Sequence, residues 1–116
     1  MEVLILNNTK IKSNEAAALI TLGNMIGQDV DIAIVGPTFR PSNAFVELVA
    51  DFAKLINEPI YISRAIDYVL LKIGGSRLVS MPISKFSATY SKLIILDQKA
   101  INREVYNDLI VKIYGV

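Results

Sequence analysis

Five short apolar runs punctuate this chain and constrain its fold more than any other feature: Val3–Leu6, Ile32–Val35, Ile60–Ile62, Leu78–Val79 and Leu93–Leu96. Several are continuous rather than alternating, as strands buried on both faces read. The stretches between them repeat at helical spacing. Over 14–26, Leu19, Leu22 and Ile26 recur on one face, with Ser13 placed to cap the start and Gly27 at the C′ position. Over 44–57, Phe45, Leu48, Val49 and Phe52 oppose Glu47, Asp51 and Lys54. Over 65–73, Ile66, Val69, Leu70 and Ile73 line up, and Gly74-Gly75 ends the pattern. Over 98–113, Ile101, Val105, Leu109 and Ile113 turn inward while Asp108 and Lys112 pair outside. A short turn or helix fills 83–90, after Pro82.

The resulting order is β-α-β-α-β-α-β-(α)-β-α. Such alternation predicts an α/β fold of three αβα layers, with a mostly parallel sheet of about five strands and helices on both faces, Rossmann-like or flavodoxin-like. The 116 residues fit a single α/β domain over 1–116, without linker, repeat or low-complexity tract. One long loop runs from Gly36 to Asn43. Pro37 and Pro41 stiffen it, and Ser42 or Asn43 is placed to cap the helix that follows.

Composition narrows the chemistry by exclusion. With no His and no Cys, Ser-His-Asp and Cys-His arrangements, thiolate chemistry and disulfides are all ruled out, and a zinc site would need carboxylates alone. No G-x-x-x-x-G-K-[ST] loop is present, and no G-x-G-x-x-G follows the first strand. Gly74-Gly75-Ser76 reads as a helix stop rather than a phosphate cradle. These exclusions point away from an enzyme, and no cofactor or metal is expected.

Net charge is +1, too balanced for a strong electrostatic claim. Hydrophobic residues make up 53%, an excess that suits either a doubly covered sheet or an interface between copies. Five tyrosines favour the interface, so a homo-oligomer, a homodimer in the simplest case, is expected. The N-terminal residues lack a basic leader pattern, and no apolar run approaches the roughly 18 residues that a membrane span needs. The expected location is cytoplasmic, with no membrane partner.

Open parallel sheets bind ligands outside the carboxyl ends of their strands. Those ends predict a tentative ligand-binding set of Asn7, Asn8, Lys10, Thr38, Arg40, Ser42, Asn43, Ser63 and Arg64. Thr9, Ser84 and Lys85 lie at the same edge. Amides, hydroxyls and cations beside helix N-termini suit an anion: a phosphate, a nucleotide or a nucleic-acid backbone. Arg40 stands out because its loop is stiff, and Phe39 beside it is suited to stacking on a ring. The same side chains also serve as ordinary caps and turn residues. Among the acids, Asp29 and Asp31 read as a solvated turn at the amino edge. Glu15, Glu47 and Asp67 read as first-turn acids, and Asp97 as a cap for the last helix.

Three family resemblances attach to particular residues. Asp31–Gly36 followed by Pro59–Ser63 resembles the middle of a response-regulator receiver, with Gly36 at the phospho-acceptor position and Asn7-Asn8 in place of the acidic pair. The order of elements is similar to DsrE-like sulfur-relay domains, whose sulfur transfer needs a cysteine that this chain lacks. The stretch 29–80 resembles the kink-turn RNA-binding ribosomal family without its first helix.

The functional expectation is a non-enzymatic, oligomeric binding module for an anionic ligand. One alternative is an enzyme acting on a phosphate-bearing small molecule without His, Cys or metal, with Asp97 or a serine as the reactive group. The other is a structural subunit of a complex.

Overall fold

The computed structural model describes residues 2–5, 14–36, 38–82, 85, 86, 90–96, 104 and 107. The elements are β1 (Glu2–Ile5), α1 (Asn14–Met25), β2 (Asp31–Val35), α2 (Phe39–Leu55), β3 (Tyr61–Arg64), β4 (Val69–Ile73), β5 (Ser76–Ser80) and β6 (Lys92–Ile95). Of the final helix expected over 98–113, only Glu104 and Asn107 are among the described residues, both helical and exposed. Ser13 and the expected 83–90 element lie outside them, apart from Lys85, Phe86 and Tyr90.

One six-stranded sheet runs in the order β1-β6-β2-β5-β4-β3. The pairs β1–β6, β6–β2 and β2–β5 are parallel, whereas β5–β4 and β4–β3 are antiparallel. This corrects the expectation of a mostly parallel, three-layer αβα sheet: the sheet is mixed, with a parallel block joined to an antiparallel meander.

The meander arises where a helix was expected over 65–73. That window satisfies two periods at once. Ile66, Val69, Leu70 and Ile73 fit a helical stripe, but Val69, Leu71 and Ile73 fit a strand, and it is these three that are buried. Ile66 is 89% exposed, so the helical stripe has no core to face. Gly74-Gly75 is the two-residue loop of a β4–β5 hairpin closed by the Ile73↔Ser76 pair. Gly74 has φ +57°, the backbone that such a loop requires at its first residue.

The two described helices share one face of the sheet. Ala17, Leu22 and Met25 of α1 and Phe45, Val49 and Ala53 of α2 pack with Ile32, Ile34, Leu71, Leu78 and Ile94 in a single core. On the opposite face, Ala33, Val35, Leu93 and Ile95 meet Phe86, Met81 and Tyr90. β2 and β6 are therefore buried on both sides, which explains their unbroken apolar sequences.

Helix ends follow local chemistry. Gly27 takes φ +71° after α1, as expected of its C′ position. α2 closes with Asn57 at φ +59°, its N–H bonded to Lys54 O (3.0 Å) and that of Glu58 to Ala53 O (2.9 Å). That pattern is a Schellman motif with asparagine in the glycine position. At the other end, α2 begins at Phe39 rather than after Asn43. Pro41 is compatible with this early start, because first-turn N–H groups have no intrahelical acceptor to lose. No helix among the described residues is long and apolar enough to cross a membrane.

Candidate functional site

The parallel block β1-β6-β2-β5 brings four carboxyl ends to one edge. Hydrogen bonds hold the chain as it leaves that edge: Met81 N–H donates to Ile34 O (3.1 Å) and Leu96 N–H to Val35 O (2.9 Å). β2 ends at Val35 and α2 begins at Phe39. A Cβ at Gly36 would lie 3.3 Å from Thr38 O and 3.4 Å from Pro41 Cβ.

Thr38 is the N-cap of α2, with extended backbone, and makes no side-chain cap bond. The first turn of α2 carries no acid. Arg40 in that turn is exposed and has no carboxylate partner among the described residues. Phe39 beside it is 45% exposed.

Ser42 and Asn43 do not cap α2, contrary to expectation, because the helix starts before them. Ser42 is 1% exposed, and its Oγ–H donates back to Phe39 O at 3.0 Å. Asn43 is half-buried and bonded to Ser80, the last residue of β5. Ser80 Oγ accepts from Val69 N–H at 2.7 Å and donates to Asn43 Oδ1. With its oxygen so engaged, the Asn43 carboxamide retains its NH2 group for a further acceptor. Sequence reasoning missed Ser80. The available signal was the repeat in Ser76-Arg77-Leu78-Val79-Ser80, where both serines share the inward face with Leu78.

Arg64 belongs to the same edge, because β3 runs in the direction of β5, but it is committed elsewhere. Its Nε donates to both carboxylate oxygens of Glu47, at 2.9 and 3.0 Å. That hydrogen bond, then the Glu47 charge, raises the guanidinium pKa above its ordinary value. β3 is also three strands from β2, about 14 Å across the sheet. Ser63 is half-buried in that outer strand. The structure thus gathers Thr38, Arg40 and Asn43 at the start of α2, buries Ser42 beneath them, and sets Ser63 and Arg64 apart. Asn7, Asn8, Lys10, Ser84 and Asp97 lie outside the described residues, and Lys85 is exposed.

The opposite edge carries a different constellation. Asp31, read as part of a solvated turn, pairs with Arg77 across the β2–β5 register, Nε to Oδ1 at 2.8 Å. The Arg77 hydrogen bond, opposed by burial and aided to a lesser extent by the Arg77 charge, holds the Asp31 carboxyl below its usual range. A cavity of about 280 Å³ opens at this amino edge, between the last turn of α1 and the starts of β2 and β6. Cavity and cationic edge do not coincide. Among the described residues, no group of three or more carboxylates is placed to hold a metal.

Together these features define a mixed-sheet α/β domain whose parallel strands share an edge lined by a guanidinium, a carboxamide and a helix start. No family model matches the chain, so the three family resemblances gain no support there, and no curated protein matches it either. Among solved structures, it is similar to the large terminase of a thermophilic bacteriophage, with TM-score 0.60 and 8% sequence identity. The alignment covers 96% of this chain and 29% of that one, so the chain spans less than a third of the terminase's length. At this identity the likeness is one of fold.

Proposed function

We propose that this chain is a binding domain for an anionic ligand, a nucleotide or a nucleic-acid backbone, held at the carboxyl edge of its parallel strands. The observation that carries this reading is Arg40. It stands exposed in the first turn of α2, with no carboxylate partner among the described residues and no acid in that turn. Arg64 and Arg77 each have a carboxylate. The Asn43 amide adds a donor that Ser80 holds in place. An anion here would meet a guanidinium, a carboxamide and the positive end of a helix dipole. The terminase likeness supports the fold, and so the use of this edge, without supplying a ligand.

Fluorescence anisotropy with a labelled single-stranded oligonucleotide, competed by nucleoside triphosphates, tests the reading. Binding should weaken as salt rises. Arg40→Ala should cost about tenfold or more in Kd, the scale of a lost charge-assisted hydrogen bond. Arg64→Ala should change Kd less than about threefold, because Glu47 already neutralises that guanidinium. Salt-independent binding, or binding indifferent to Arg40→Ala combined with Asn43→Ala, overturns the proposal.

A further inference from the structure

We propose a second site: the cavity at the amino edge of the sheet binds a small, uncharged heterocycle of the nucleobase or nucleoside class, and glycine at position 23 keeps it open. The proposal stands independently of the carboxyl-edge reading, since the two sites lie at opposite ends of the parallel strands.

Gly23 is the first observation. It lies inside α1, where glycine is among the least favourable residues. Neither of the usual reasons for glycine applies. Its φ is not positive, and a Cβ built there meets nothing within 4 Å. Gly23 is exposed and lines the cavity, so a long side chain at this position would stand at its mouth.

The second observation is the wall chemistry. Val30 and Ile32 supply aliphatic surface, suited to the face of a ring. Asn24, Gln28 and Ser91 supply two carboxamides and a hydroxyl, which present donors and acceptors together. Carboxamides match the paired donor–acceptor edges of nucleobases. The scaffold under them is pinned. Gln28 N–H donates to Met25 O (3.2 Å), and Gln28 O accepts from the buried Ser76 hydroxyl (2.7 Å). Ser91 N–H donates to Asp31 O at 2.7 Å.

Charge and size narrow the class further. α1 ends at the cavity, with no basic residue in its last turn, so the negative end of its dipole disfavours a phosphate. Lys92 also lines the wall, so a monophosphate arm puts the charge argument to a direct test. A volume of about 280 Å³ lies just below the usual range for small-molecule sites, which limits an occupant to a one- or two-ring compound.

The test is titration of the ¹⁵N-labelled full chain with adenosine, guanosine, cytidine and uridine at millimolar concentration, each beside its 5′-monophosphate. At least one nucleoside should shift the amides of Gly23, Asn24, Gln28 and Ser91 saturably, and its monophosphate should bind more weakly. Gly23→Leu should obstruct the cavity mouth and weaken binding about tenfold or more while leaving the chain folded by melting. Gln28→Ala, in an exposed loop, should weaken it about fivefold, the scale of one hydrogen bond. Absence of shifts at these four amides, or unchanged binding by both variants, overturns the proposal. Shifts confined to Thr38–Asn43 also overturn it while leaving the carboxyl-edge reading intact.

Discussion

Ser80 at the end of β5 donates its hydroxyl proton to the carboxamide oxygen of Asn43 on α2 while accepting from Val69 N–H of β4. One side chain thus ties three elements together beside the candidate anion site. Removing it leaves a buried N–H without a partner, which costs more than losing the bond itself. Ser80→Ala should lower stability by about 1–3 kcal/mol in urea denaturation. Asn43→Ala should cost less, because Ser80 keeps its bond to Val69. The double variant should cost less than the two singles together, since both act on one bond. Strict additivity would show that the two residues do not interact.

The Gly74-Gly75 turn gives two glycines with different requirements. Gly74 needs its positive φ, so Gly74→Ala should cost about 1–2 kcal/mol. Gly75 has no such φ, but a Cβ there would collide with the Asp29 carboxylate. Because Asp29 is exposed and able to turn aside, Gly75→Ala should cost less than about 1 kcal/mol. Adding Asp29→Ala should rescue Gly75→Ala and leave Gly74→Ala unrescued. Thermal melting of the four variants reads this directly.

The Asp31–Arg77 pair makes a small, signed contribution to acid stability. The Asp31 pKa is lowered in the folded chain, so the contribution is complete above the unfolded value of about 3.9 and is lost as pH falls through the folded value. The side chains are 36% and 51% exposed, so screening by solvent keeps the effect small. Asp31→Asn should therefore lower the urea midpoint at pH ~7 and make no difference at pH ~2. Molar salt should shrink the difference at neutral pH. A larger deficit at pH ~2 than at pH ~7 would reverse the sign assigned here.

Gly23→Ala should stabilise the chain by about 0.5–1 kcal/mol, the difference between the two residues in a helix interior. Calorimetry should show a rise of about 4 °C for a domain of this size. A fall in Tm would mean that the space beside Gly23 is already occupied.

Individual elements were legible in the chain because they rest on local patterns, whereas the mixed sheet was not. β2 and β6 were readable as continuous apolar runs because both of their faces are covered. The end of α1 was readable because Gly27 is the residue that a left-handed C′ position favours. The start of α2 was misplaced by five residues because Pro41 was read as a loop residue, whereas the first helical turn tolerates it. Of the candidate site, Thr38, Arg40 and Asn43 were identifiable from the rule about carboxyl edges. The commitment of Arg64 to Glu47 was not, since the two residues are 17 positions apart and meet only after β3 has taken its place in the sheet.

Taken alone, the chain's residues determined the opening β-α-β-α order and excluded every chemistry that needs a histidine or a cysteine. Periodicity records which face of a segment is apolar, and composition records which reactive groups exist; both are local or global facts that need no neighbours. Tertiary structure decided the rest. It turned 69–80 into a hairpin, paired β4 antiparallel to β5, gave Ser80 its partners and placed the cavity and Arg40 at opposite edges. A short apolar stretch takes whichever period lets it bury its side chains, and that depends on the surface the assembled molecule offers it.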